Sequence, residues 1–215
     1  GLTSWVPGMA LVALGKRRMW GDIKAGLVYT KKNRTVLVLL LVALSTALLA
    51  MPFRTLLPVQ IEEVFKLEVE ALGLMLSMIG VGALIGSLVI AGLSKNSRRG
   101  WVLLITSMLS GGAILLASVT TSYVIALVIM VILGLGDSGR RALNSSLIME
   151  QTDDEHRGRV MGVYMMNFGL IPLGALPLGF ISAFLDVRIA FALAGGGLLA
   201  AAIGYTVLTD KVRRL

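Results

Sequence analysis

Between Gly100 and Gly136 the chain runs for thirty-seven residues without a charged side chain. As one helix this stretch would be about 55 Å long, against a hydrocarbon core of about 30 Å. It is too apolar for a solvent-exposed element and too long for one membrane span, so it folds back. Its only polar cluster, Thr120-Thr121-Ser122, marks the turn. Four further uncharged runs, Val36–Phe53, Ala71–Ser94, Val160–Leu185 and Ile189–Thr209, each come close to the roughly 20 residues that a spanning helix needs. The expected architecture is an all-α membrane protein with six transmembrane helices, at about 35–57, 71–93, 101–119, 123–150, 159–185 and 189–209. The lipid bilayer is then the first partner, and residues 35–215 form the six-helix domain.

Composition closes off other classes. The chain is 56% hydrophobic and 15% charged, with a mean hydropathy of +0.87. Soluble domains are nearer 45–50% apolar and about 25% charged. A soluble enzyme, a disordered tail, a fibrous protein and a disulfide scaffold are excluded. There is no cysteine and one histidine, His156. No metal site, no cofactor and no enzymatic acid–base chemistry are expected from such a set.

The net charge of +8 would suggest nucleic acid in a soluble protein. Here its placement points elsewhere, and no nucleic-acid partner is expected. Seventeen of the twenty basic residues fall in segments 16–34, 95–99, 140–159 and 211–214, all on one side of the six-span scheme. The other side holds Lys66 and Arg188 together with Glu62, Glu63, Glu68, Glu70 and Asp186, and Arg54 lies inside or near the end of the first span. The positive-inside rule makes the basic side cytoplasmic. Both ends of the block are then cytoplasmic, with outer loops at about 60–70, 120–122 and 186–188.

Residues 1–34 precede the block. Gly1–Gly15 is uncharged and reads as the tail of an earlier span. In Lys16–Arg34, Trp20, Ile23 and Leu27 recur at helical spacing among basic residues; a helix lying on the inner membrane surface and a solvated linker both fit.

Gly82 and Gly86 in the second span form a small-xxx-small pair that lets helices pack closely in lipid. The string Gly136-Asp137-Ser138-Gly139 resembles a protease serine motif, but the one histidine lies in a charged loop, so a serine nucleophile has no base. Pro172 and Pro177 interrupt the fifth span, as a simple kink or as a bending gate helix. In the fourth span Asp137, Arg140, Arg141, Asn144 and Gln151 share an arc of about 100° on a helical wheel. Asp137 can pair with Arg140 or Arg141 at i+3 and i+4. This stripe reads either as a structural ion pair or as a gating or ion-coupling element, with Arg157 and Arg159 on the following loop as further members. Substrate-cavity candidates are Arg54, Met75, Met78, Met165, Met166 and Asn167, although methionines in a span more often serve plain packing.

The stretch Leu143-Asn144-Ser145-Ser146-Leu147 to Asp154-Glu155-His156-Arg157-Gly158-Arg159-Val160-Met161-Gly162-Val163-Tyr164 resembles the loop between the tenth and eleventh helices of major facilitator superfamily transporters. Within that superfamily it is similar to the branch of enterobactin-exporter-like and macrolide-efflux-like proteins. Trp20–Tyr29, Pro52–Pro58 and Gly134–Ser138 resemble the elements before the seventh helix, at its end, and in the tenth. The resemblance implies half of a twelve-helix major facilitator fold, built as two inverted three-helix repeats. It also implies that this chain is the second half and that the partner is a missing N-terminal six-helix half. The loop Leu93–Gly100 stands where the superfamily carries a charged loop motif, with Asn96 near the place of its acid. The implied function is secondary active export of drug-like or siderophore-like small molecules, proton-coupled, across a bacterial cytoplasmic (inner) membrane. The alternative is the six-helix membrane domain of an ATP-driven exporter.

Overall fold

The structure is a computed structural model and describes residues 21, 25–93 and 98–208. Among them every regular element is helical, and six helices are long and apolar enough to cross a membrane: α1 Arg34–Phe65, α2 Glu70–Ala91, α3 Arg99–Val119, α4 Tyr123–Glu150, α5 Arg157–Phe184 and α6 Val187–Leu208. A short helical segment over 25–32 precedes α1. The expected features at Gly1–Gly15, Trp20, Ile23, Asn96 and the C-terminal basic residues lie outside the described residues.

Asn33 starts α1. Its Oδ1 accepts from the backbone N–H groups of Thr35 and Val36, two donors that the first helical turn leaves free. The helix then departs from regular α geometry twice, in wide π turns at Thr46–Ala50 and Ile61–Phe65. Each π turn lies beside a proline. Pro52 has no N–H for the carbonyl of Leu48, and Pro58 has none for that of Arg54. The helix ends at Lys66, in the left-handed region at φ 54°. It therefore runs well past the expected end near residue 57, and the outer loop shrinks from 60–70 to Lys66–Val69. Glu62 and Glu63 had read as loop, but they are exposed on a last turn whose other face is buried. There Ile61 enters the core and Gln60 donates from Nε2 to the Ala117 carbonyl at 2.8 Å.

α5 is interrupted at Leu170, two residues before Pro172, so the fifth span is two helical pieces, Arg157–Gly169 and Ile171–Phe184.

The helices pack in a repeating scheme. α2 packs on α4, α3 on α4 and on α6, and α1 on α5 and α6. Exchanging α1 with α4, α2 with α5 and α3 with α6 carries α2–α4 onto α5–α1 and α3–α4 onto α6–α1, and leaves α3–α6 in place. This is the packing expected of two related three-helix repeats. Glycine sits at each of these contacts. A Cβ on Gly82 would overlap the Val131 carbonyl, one on Gly134 the Ile79 carbonyl, and one on Gly174 the Leu48 carbonyl. Gly111 and Gly195 bring α3 and α6 together in the same way. α2 and α5 are the least buried of the six helices.

Most of the apolar interior falls in two layers, beside a small third cluster of Val38 and Leu104. One gathers Phe53, Leu57, Met75, Ile114, Met130 and Phe191; the other gathers Val36, Leu39, Leu103, Leu147, Val160 and Tyr164. Along α4 the first layer takes Ala126 to Leu133 and the second Leu143 to Ile148. Asp137 and Arg140 fall between them.

Candidate functional site

Charge inside the helices is scarce. Apart from residues in their first and last turns, the six helices carry Arg54, Asp137, Arg140 and Arg141 and no other charged side chain. All four meet at one point. Asp137 stands halfway along the 28-residue α4, about 20 Å from either end. Its Oδ2 pairs with Nη2 of Arg54 from α1 and with Nη2 of Arg141, each at 3.1 Å. Its Oδ1 accepts from Arg140, which donates its other terminal nitrogen to the Thr46 hydroxyl. Thr46 opens the first π turn of α1, so the irregular turn places a hydroxyl where the α4 guanidinium needs an acceptor. Wide turns of this type are frequent at functional sites.

Burial divides the cluster. Asp137 and Arg140 keep 5% and 1% of their surface exposed, and Asn144, one and two turns further along the same face, keeps 1%. The side chains of Arg54 and Arg141 retain 36% and 39%. A buried pair is thus flanked by two guanidiniums that reach outward. Beside them is a pocket walled by Thr46 and Met51 of α1, Arg140 and Asn144 of α4, and Tyr164 and Asn167 of α5, with a volume of about 20 Å³, enough for about one water. Three buried polar atoms here have no hydrogen-bond partner: Arg140 Nε, Asn144 Oδ1 and Asn167 Nδ2. Buried polar atoms are nearly always satisfied, and a cavity of this size between these three suits one bridging water or a single polar group.

The site joins residues that the sequence had assigned to separate roles. Arg54 had been a cavity candidate and Asp137 a gating one; they are ion-paired. Asn144 and Asn167 line the same pocket. Thr46, Met51 and Tyr164 were missed. Only Thr46 left a trace, as one of two adjacent hydroxyls, with Ser45, inside an otherwise apolar run.

Other candidates lie elsewhere. Met75 is wholly buried in the first apolar layer and Met78 packs against it. Met165 and Met166 are exposed on α5. Arg157 pairs with Asp154 and donates from Nε to the Met149 carbonyl at 3.0 Å, closing the turn after α4. Arg159 sits in the first turn of α5, with its carbonyl against Gly26 of the segment before α1. Ser138 bonds back to the Leu135 carbonyl, and His156 stacks on Tyr29 at 4.5 Å, so no serine–histidine pair forms. Tyr29 also donates to Asp153 Oδ2 at 3.0 Å, and Asn33 donates to the Gln151 carbonyl at 3.1 Å. The segment before α1 is thereby clasped to the α4–α5 turn. Arg99 pairs with Glu150 at 2.6 Å and ties the start of α3 to the end of α4.

Comparison with known proteins places these features. The family described as Major Facilitator Superfamily matches residues 28–214. A curated relative, the Staphyloferrin A transporter of Staphylococcus aureus (strain NCTC 8325 / PS 47), is 32% identical over 124 residues, which is 58% of this chain and 31% of the relative. The chain thus aligns to about a third of the length of that relative. No solved structure matches it significantly.

Proposed function

The chain belongs to the major facilitator superfamily, and from that premise we propose that it is one six-helix half of a secondary transporter. In this reading a second, N-terminal six-helix half covers the poorly buried α2 and α5, and a small molecule binds between the halves near mid-membrane. The work is export of drug-like or siderophore-like compounds by alternating access, driven by proton exchange. The setting is a bacterial inner membrane, with both ends of the six-helix block in the cytoplasm, a reading that the seventeen-to-two division of loop charge supports.

The observation that carries the proposal is the ion cluster of Arg54, Asp137, Arg140 and Arg141, halfway along α4 between the two apolar layers. A charge inside a spanning helix costs up to about 2.5–3.5 kcal/mol on insertion scales, so a protein that only needed a stable bundle gains nothing from four. The cluster also joins α1 to α4, the leading helices of the two repeats. A contact made of ion pairs can be exchanged between two discrete arrangements, which is what a rocking gate requires. Asp137 is the acid at the centre of that contact, shared by all three arginines. Membership in this family speaks against the ATP-driven alternative, and so do the helix ends. α2 ends at Ala91 and α3 starts at Arg99, leaving no long helical extension for a nucleotide-binding partner.

The test is the full-length protein in proteoliposomes under an imposed pH gradient. Substrate-dependent proton flux without ATP is expected. Transport that requires ATP, or flux that ignores the pH gradient, would contradict the proposal.

A further inference from the structure

We infer that the first piece of α5, Arg157–Gly169, is a hinged arm, and that the segment 25–33 before α1 is the latch that holds it shut. The inference rests on the transporter reading above and adds a moving part to it. Its first ground is the break in α5. Pro172 offers no N–H to the Phe168 carbonyl, and the helix restarts at Ile171 after a turn at Leu170. Gly169 stands at the break, and nothing lies within 4 Å of where its Cβ would be. The two pieces are held unequally. The second piece packs closely on α1 and α6, with Gly174 against the Leu48 carbonyl and Leu178 in the first apolar layer. The first piece meets α1 and α4 more lightly, and of its thirteen residues it buries only Val160 and Tyr164. A lightly packed piece beyond a proline break can swing as a unit.

The second ground is what fastens the far end of that piece. Gly26 lies so close to α5 that a Cβ there would stand 2.9 Å from the Arg159 carbonyl oxygen and 3.1 Å from Val163 Cγ2. The Tyr29 ring stacks on His156, with planes 17° apart. The Tyr29 hydroxyl donates to Asp153 Oδ2 at 3.0 Å and accepts from the Asp153 backbone N–H at 3.2 Å. Asn33 donates to the Gln151 carbonyl at 3.1 Å and also caps α1, so the latch is continuous with the first spanning helix. Gly26, Tyr29 and Asn33 thus engage α5, the turn and the end of α4 in reverse order, as a strap laid antiparallel to them. Its bonds are neutral donors and acceptors or rim contacts, individually weak enough to be made and broken within a cycle.

The arm is also one wall of the ion site. Tyr164, Asn167 and Phe168 line the same small space as Thr46, Arg140 and Asn144. Swinging the arm about Leu170 parts these walls and admits water to Arg140 from the latch side. An element that closes one side of the protein and can be released is what alternating access needs.

The experiment uses the full-length protein without other cysteines. Tyr29→Cys and His156→Cys are bridged by a short bifunctional methanethiosulfonate, and gradient-driven flux is measured in proteoliposomes before bridging, after it and after reduction. Bridging is expected to cut flux roughly tenfold or more, with recovery on reduction, because an arm that cannot open stops the cycle. A second measurement needs no transport. Asn167→Cys is labelled in nanodiscs by a water-soluble maleimide, and Tyr29→Ala is expected to speed that labelling roughly threefold or more by shifting the arm toward its open position. Met75→Cys, wholly buried away from the arm, is expected to stay unlabelled. Failure of the reagent to span 29 and 156, flux unchanged by bridging, or equal labelling at 167 with and without Tyr29→Ala would each overturn the inference. Faster labelling at 75 as well would show general loosening and overturn it too. The transport reading fails separately: no gradient-driven flux in the unaltered protein removes transport, while the labelling rates still decide the arm.

Discussion

At the scale of single residues the molecule is governed by one carboxylate. The i+3 and i+4 spacing of Asp137, Arg140 and Arg141 was legible in the sequence, because one helix sets it. The third partner was not. Arg54 is eighty-three positions away, and Asp137 meets it only because α1 packs on α4 at that height. Thr46 depends further on a π turn that a helical wheel does not represent. Burial then predicts unequal roles. Arg140→Ala removes a side chain that is 1% exposed and leaves Asp137 Oδ1 without its donor. Breaking such a buried pair should cost about 3–5 kcal/mol. Arg54→Ala removes a partly exposed partner and should cost no more than about 1 kcal/mol. Unfolding titrations of the two variants in mild detergent check this; equal losses would show that burial does not rank the arginines.

The element scale is where glycine acts. In lipid, helix association draws on close packing rather than on apolar burial, and small residues permit it. The Gly82–Gly86 pair was readable from spacing alone. That Gly134 answers it from α4, and that Gly174 receives the Leu48 carbonyl which Pro52 leaves without an N–H donor, became visible only once the helices were placed. Helix ends were less legible than helix existence. Charge marks where a chain may leave lipid but not where its helix stops, and so α1 continued through Glu62 and Glu63. Gly82 and Gly80 make a matched pair for testing the packing. A Cβ at Gly82 overlaps α4 backbone, whereas one at Gly80 meets nothing within 4 Å. Gly82→Val should cost near the top of the ~1–3 kcal/mol range for overpacking, and Gly80→Val close to nothing. Thermal unfolding of both variants reads the difference, and equal melting temperatures would contradict the assigned α2–α4 contact.

For the whole molecule, the count of six spans followed from the uncharged runs and their length. The repeat symmetry was implied only by the family resemblance, since it lies in which helices touch. The proposed orientation rests on loop charge and can be checked directly, because the chain contains no cysteine. With Asp154→Cys and Glu68→Cys introduced singly, an impermeant maleimide applied to intact cells should label position 68 and spare position 154. The reverse pattern would invert the topology. The central claim is that the ion cluster between α1 and α4 runs an alternating-access cycle rather than merely holding the two helices together. Asp137→Asn keeps the size of the side chain and one oxygen acceptor while removing the charge that three arginines share. The decisive quantity is substrate efflux per inserted molecule of the full-length Asp137→Asn protein. A loss of at least tenfold is predicted, with part of the activity regained when Asp137→Arg is combined with Arg141→Asp, whereas efflux equal to that of the unaltered protein would contradict the account.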